Sequence, residues 1–132
     1  MKTGKIEILG KEHTLCFSTR VTSRCIEKYG SIDAMFASLG GNDLGKALEH
    51  SLWLLSAMLD AGRRYARRAW DREEEVVSYD DLLDLYGLDD VATLGQALRE
   101  TVINGSKREV KIDAKNAEAT QGDGREKTAL RG

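Results

Sequence analysis

Proline is absent from the 132 residues. Nothing therefore interrupts a helix by removing its amide hydrogen, and the 13 glycines are left as the natural stops. Cysteine and histidine number two each. Cys16 and Cys25 form no CxxC pair. His13 and His50 have no Cys, Asp or Glu at a recognisable ligand spacing; His50 follows Glu49, but neighbours on a helix diverge by about 100°. Structural roles fit all four better than a metal centre, and no cofactor is expected. The cysteines read as small apolar side chains in a reducing compartment, with a disulfide between them the lesser alternative. No apolar run approaches the ~18–20 residues that cross a bilayer. Met1–Lys5 leads to Glu7 rather than to a signal-type apolar stretch, so a cytoplasmic protein with no membrane partner is expected. Charge of one sign is also lacking. With 20 basic and 22 acidic residues the net charge is −2, which gives no global field for nucleic acid.

What is present is 41% hydrophobic and 32% charged residues, enough for one modest core in a chain of single-domain length. Lys5–Phe17 alternates. Ile6 and Ile8 flank Glu7; His13, Leu15 and Phe17 share one face, Thr14 and Cys16 the other. A β-hairpin turning at Gly10-Lys11 is predicted, and a lone hairpin must lie against helices to be stable. Thr19 or Ser18 caps a first helix to Tyr29, with Val21, Cys25, Ile26 and Tyr29 on one face and Gly30 as its stop. Ser31 caps a second, short helix bearing Ile32, Met35, Phe36 and Leu39.

Asp43 caps the longest element, a helix to about Trp70. Leu44, Leu48, Leu52, Leu55, Leu59, Gly62 and Ala66 form its stripe, while Trp53, Leu54 and Ala57 project elsewhere. Residues 52–59 thus bury more than one face, as in a central helix gripped from two sides. Asp71–Glu75 is a charged connector or frayed helix end. Ser78 and Asp81 form a capping-box start for a short helix with Tyr79, Leu82, Leu83 and Tyr86 on its apolar face. Asp89 or Asp90 caps a last helix with Val91, Leu94, Leu98 and Val102 on one face, and Asn104-Gly105 signals its end. After Gly105 the composition turns polar. Val110 and Ile112 could add one short strand, and the rest reads as a flexible tail. The expected architecture is mainly α: about five helices with an N-terminal hairpin packed against them (1–105) and a flexible C-terminal tail (106–132).

No catalytic constellation can be assembled, so an enzyme is not expected. The carboxylates at Glu73–Glu75, Asp80–Asp81–Asp84 and Asp89–Asp90 mostly sit at helix starts, where caps explain them. Gly40–Lys46 lacks the spacing of a phosphate loop. The sharpest local feature is Arg63, Arg64, Arg67, Arg68 and Arg72. The first four span about 140° of helix surface opposite Gly62, Ala66 and Ala69. They form either a solvated face suited to a helix C-terminus or a partner surface, for which arginine's planar fork is apt. Trp70 beside them either closes the core or marks a binding patch.

Taken in order, the hairpin Lys5-Ile6-Glu7-Ile8-Leu9-Gly10-Lys11-Glu12-His13-Thr14-Leu15-Cys16-Phe17, then Ile26-Glu27-Lys28-Tyr29-Gly30-Ser31-Ile32, then Leu52-Trp53-Leu54-Leu55-Ser56-Ala57-Met58-Leu59 with Gly62 and Tyr65, resemble one family. It is the tail assembly chaperones of long-tailed (siphovirus-type) bacteriophages and prophages. The resemblance covers roughly residues 5–105, with similar wording at Arg108–Thr120. It implies a protein that coats the long helical tape measure protein in the bacterial cytoplasm, keeps it soluble and helps recruit tail tube subunits. It also implies absence from the mature virion and, in many members, a longer frameshifted form. The expected partners are the tape measure protein and the tail tube protein, with self-association able to add avidity. The candidate contact residues are Arg63, Arg64, Tyr65, Arg67, Arg68, Trp70, Arg72, Tyr79 and Tyr86, which no family motif assigns. The rival expectation is a small helical nucleic-acid-binding regulator using the Arg63–Arg72 face, disfavoured by the net charge.

Overall fold

Three serines and an aspartate decide where the main helices begin. Each places a side-chain oxygen on the backbone N–H three residues ahead, satisfying a donor the helix cannot satisfy itself. Ser18 accepts from Val21 at 3.3 Å, Ser31 from Ala34 at 3.0 Å, Asp43 from Lys46 at 3.1 Å and Ser78 from Asp81 at 3.1 Å. The Asp81 carboxylate in turn accepts from the Ser78 N–H at 3.0 Å, completing the predicted capping box. The computed structural model describes residues 3–106. In chain order it contains strands β1 (Thr3–Ile8) and β2 (Lys11–Cys16), then helices α1 (Thr19–Tyr29), α2 (Ile32–Leu39), α3 (Leu44–Trp70), α4 (Tyr79–Leu85) and α5 (Val91–Ser106). One turn of 3₁₀ helix, Leu88–Asp90, leads into α5. The strand and tail expected at Val110, Ile112 and beyond lie outside the described residues.

The mainly α architecture with a packed hairpin is as the periodicity predicts. Helix α3 is the hub. Leu52, Leu54, Leu55 and Met58 are fully buried although they point in different directions, because the hairpin, α1, α2, α4 and α5 all pack on it. Burying each such side chain is worth roughly 1.5–3 kcal/mol. The caps at the far ends differ in kind. Gly30 ends α1 at φ 93°, a conformation open to glycine. Asp71 ends α3 at φ 51°, a left-handed position that aspartate tolerates. Arg99 of α5 donates to the Phe36 carbonyl of α2 at 3.3 Å, tying a cation to that helix end.

Several expectations need correction. The hairpin register pairs Ile8 with Lys11, so the turn is Leu9-Gly10 rather than Gly10-Lys11. Both turn residues have positive φ, 51° and 79°, as a two-residue hairpin of the mirror-image type requires. Ile26 is 46% exposed because α1 buries only the narrower Val21–Cys25 line. Leu44 lies in the first turn of α3, at the rim of an open depression between α2 and α5, and is exposed. Leu83 is exposed because the short α4 buries only Leu82 fully. Helix α5 passes through Asn104-Gly105 to Ser106. In line with the preferred reading, Cys16 and Cys25 are buried and no disulfide joins them. No helix among the described residues is long and apolar enough to cross a membrane.

The hairpin meets α3 edge-on. At Gly62 a Cβ would lie 1.8 Å from the Thr14 carbonyl oxygen, so only glycine admits β2 at this distance. The segment after α3 then fastens the contact. Glu74 accepts from the Thr14 N–H at 3.0 Å and from its hydroxyl at 2.6 Å, and Arg72 donates to both Thr14 Oγ1 and Glu74, each at 3.1 Å. Burial pushes the Glu74 carboxyl upward, but the two Thr14 bonds and Arg72 outweigh it and hold the group below its ordinary value. The segment read from sequence as a charged connector or frayed helix end thus covers the outer edge of β2.

Candidate interaction groove

The second half of α3 projects residues 61, 64, 65, 68 and 69 along one line, the i, i+3, i+4 spacing of a single helical face. That face meets the end of β2 and the start of α1 in an open groove of about 520 Å³. Cys16, Ala61, Tyr65 and Ala69 make its apolar floor. Arg20, Arg64 and Arg68 make its rim. The small side chains of Ala61 and Ala69 create the depression, and Tyr65 supplies one amphipathic wall. Cys16 is buried at the groove's inner end, and burial pushes its thiol up, away from the thiolate form.

The predicted arginine face does not act as one surface. Arg64 and Arg68 reach the groove. Arg63 turns to Asp60 at 3.0 Å, and Arg64 shares the same carboxylate at 3.3 Å, so one acid neutralises part of the pair. Arg72 is held by Glu74 and Thr14, with its guanidinium 4.8 Å from the Trp70 ring. Arg20, Arg67 and Arg68 are exposed and make no ion pair among the described residues. Ala69, placed by the sequence on the buried stripe with Gly62 and Ala66, is exposed in the groove instead.

Trp70 is 44% exposed and meets Tyr65 edge to face, with centroids 5.3 Å apart. It braces Tyr65 from behind and does not itself line the groove. Tyr79 and Tyr86 are half-buried against the core and line none of the groove. Burial, then nearby carboxylates (Glu49 and Asp80 for Tyr79, Asp90 for Tyr86), push their phenols up. Arg20 was missed from sequence. It lies on another helix, and only the fold of α1 onto α3 brings it opposite Arg64 and Arg68.

Chemically, the groove offers apolar area flanked by permanent positive charge. That suits an amphipathic segment carrying carboxylates along the flanks of its apolar face. Among the described residues no group of three or more His, Cys, Asp or Glu is placed to hold a metal ion. Comparison with protein-family models, with curated proteins and with solved structures found no match.

Proposed function

We propose that this protein is a tail assembly chaperone of the long-tailed phage type. It binds the tape measure protein, keeps it soluble before the tail tube forms, and helps bring tube subunits to it. The carrying observation is the groove of α3: an apolar floor at Ala61, Tyr65 and Ala69 between the arginines of α1 and α3. A client that is one long amphipathic helix needs such open, repeated, shallow contacts rather than an enclosed pocket. The resemblance of residues 5–105 supplies the identity of the client, and the bacterial cytoplasm is the compartment it implies.

The experiment is co-expression with the neighbouring tape measure protein, scored as client in the soluble fraction. The wild type should raise it severalfold. The double variant Arg64→Glu/Arg68→Glu should lose most of that gain while its melting temperature falls by only a few degrees, because the one interaction it gives up is the part-exposed Arg64–Asp60 ion pair and neither residue anchors the core. Equal rescue by the variant would refute the groove, and no rescue by the wild type would refute the chaperone reading. Duplex DNA at ~150 mM salt should not compete, since attraction that rests on charge alone collapses there; effective competition would favour the nucleic-acid regulator.

A further inference from the structure

The sheet has two strands, and its two outer edges differ. The outer edge of β2 is covered by α3 and by Glu74. Thr14 uses its N–H to reach Glu74, so that group points away from β1. Lys5 stands opposite Thr14 and Glu7 opposite Glu12, at alternate positions of the same ladder. In an antiparallel pair the backbone groups of such positions point outward. Lys5 and Glu7 therefore turn their N–H and C=O groups away from β2, and among the described residues no strand meets them. Both side chains are exposed. Helix α5 packs against β1 at Gly4, beside Thr101, but no described strand takes the edge at Lys5 and Glu7, and an unpaired edge of this kind is a template for another strand.

We propose that β1 pairs antiparallel with β1 of a second copy, about a two-fold axis at Ile6, to give a four-stranded sheet. The charges select this register. Centred on Ile6, it sets Lys5 of each copy directly across from Glu7 of the other, twice per dimer, at the positions whose backbone groups are free to exchange hydrogen bonds. The lone hairpin leaves Glu7 opposite the like-charged Glu12, while Lys5 reaches only diagonally to Glu12 at 3.8 Å. The second copy brings a cation to Glu7. It also covers Ile6, which is half-buried against the core in a single copy. Two strands are marginal as a sheet, and four are not. The proposal is independent of the groove, which lies on the far side of β2.

Sedimentation velocity of the full chain over a range of concentrations tests it. The wild type should dimerise. Lys5→Glu alone and Glu7→Lys alone each replace two attractions by two repulsions and should weaken dimerisation by about 10- to 30-fold. Mixing these two variants should restore a dimer, because an edge carrying two carboxylates then faces an edge carrying two ammonium groups, and both cross-strand pairs are again attractive. Glu7→Lys places a cation opposite Glu12 within its own chain, so its melting temperature should not fall, which separates lost pairing from lost folding. Glu7→Pro removes an outward N–H that the hairpin does not use and should also give monomers. A wild type that stays monomeric throughout, its edge left to another strand, overturns the proposal. So does a dimer that survives both single charge reversals, or a mixture that fails to pair.

Discussion

Replacing Gly62 by alanine tests the closest approach in the molecule. Alanine normally stabilises a helix interior relative to glycine by about 1 kcal/mol. Here the new methyl would lie 1.8 Å from the Thr14 carbonyl oxygen and 2.4 Å from its carbon. Reaching even a very short contact of about 3.0 Å would take a displacement of about 1.2 Å, well beyond ordinary relaxation of a packed interior. Neither side yields easily. Gly62 is in the middle of α3, and Thr14 is clamped by Glu74 and Arg72. Overpacking of this severity costs about 3 kcal/mol or more, against the gain of about 1 in helix propensity. The net loss of about 2 kcal/mol corresponds to a fall of roughly 8–16 °C in Tm for a domain of this size. Thermal unfolding followed by circular dichroism measures it. Gly95→Ala is the control, a helical glycine whose Cβ would meet only Arg99 at 3.6 Å and the Leu39 carbonyl at 3.8 Å. It should stabilise by up to about 1 kcal/mol. A Gly62→Ala protein as stable as the wild type would refute the edge-on seating of the hairpin.

Leu9 carries positive φ and is 80% exposed, so Leu9→Asn, which accepts the left-handed region more readily, should raise stability by about 0.5–1 kcal/mol in chemical denaturation. Glu74 binds its proton more weakly in the folded chain than in the unfolded one. Its contribution is therefore complete above the unfolded carboxylate value of about 4.3 and is lost as pH falls through the lower folded value. Glu74→Gln should cost about 1.5–3 kcal/mol at pH 7, since an amide cannot accept from the N–H, the hydroxyl and Arg72 together. That deficit should shrink below pH 4 in urea titrations; a deficit independent of pH would show that the charge of Glu74 is not what holds the connector.

Caps and periodicity were legible because they are local. Ser31 and Asp43 begin their helices where a short oxygen-bearing side chain precedes an apolar repeat, and Ser78 does so with its partner Asp81. The multi-sided burial of residues 52–59 follows from apolar side chains at every angle of one helix. What the sequence hides is the third dimension. Arg63, Arg64, Arg67 and Arg68 look alike as a string, yet Asp60 claims two of them and the groove takes two, with Arg64 in both sets. Arg72 and Glu74 look like surface charge and prove to hold a strand 58 and 60 residues away in the chain. Such long-range pairing leaves no periodic trace. The turn at Leu9-Gly10 escaped for a different reason: leucine is a poor signal for a left-handed residue, and register, not turn propensity, places it there.

One glycine links the two surfaces. By letting the edge of β2 onto α3, Gly62 sets the end of β2, with Cys16, as part of the groove floor; the same seating leaves β1 as the outward edge. The three kinds of variant should therefore separate. Arg64→Glu/Arg68→Glu should impair client capture and spare dimerisation, because those arginines lie beyond β2 from the β1 edge. Glu7→Lys should do the reverse at the level of a single binding event, although capture of a long client would lose whatever avidity two copies add. Gly62→Ala should impair both, because it moves the strand on which both surfaces depend. Capture by a surface-immobilised client fragment too short for two copies, read alongside sedimentation, distinguishes the three patterns. If Gly62→Ala lowered Tm yet left both capture and dimerisation intact, the hairpin's seating would be a matter of stability alone, and the coupling between β2, the groove and the β1 edge would have to be abandoned.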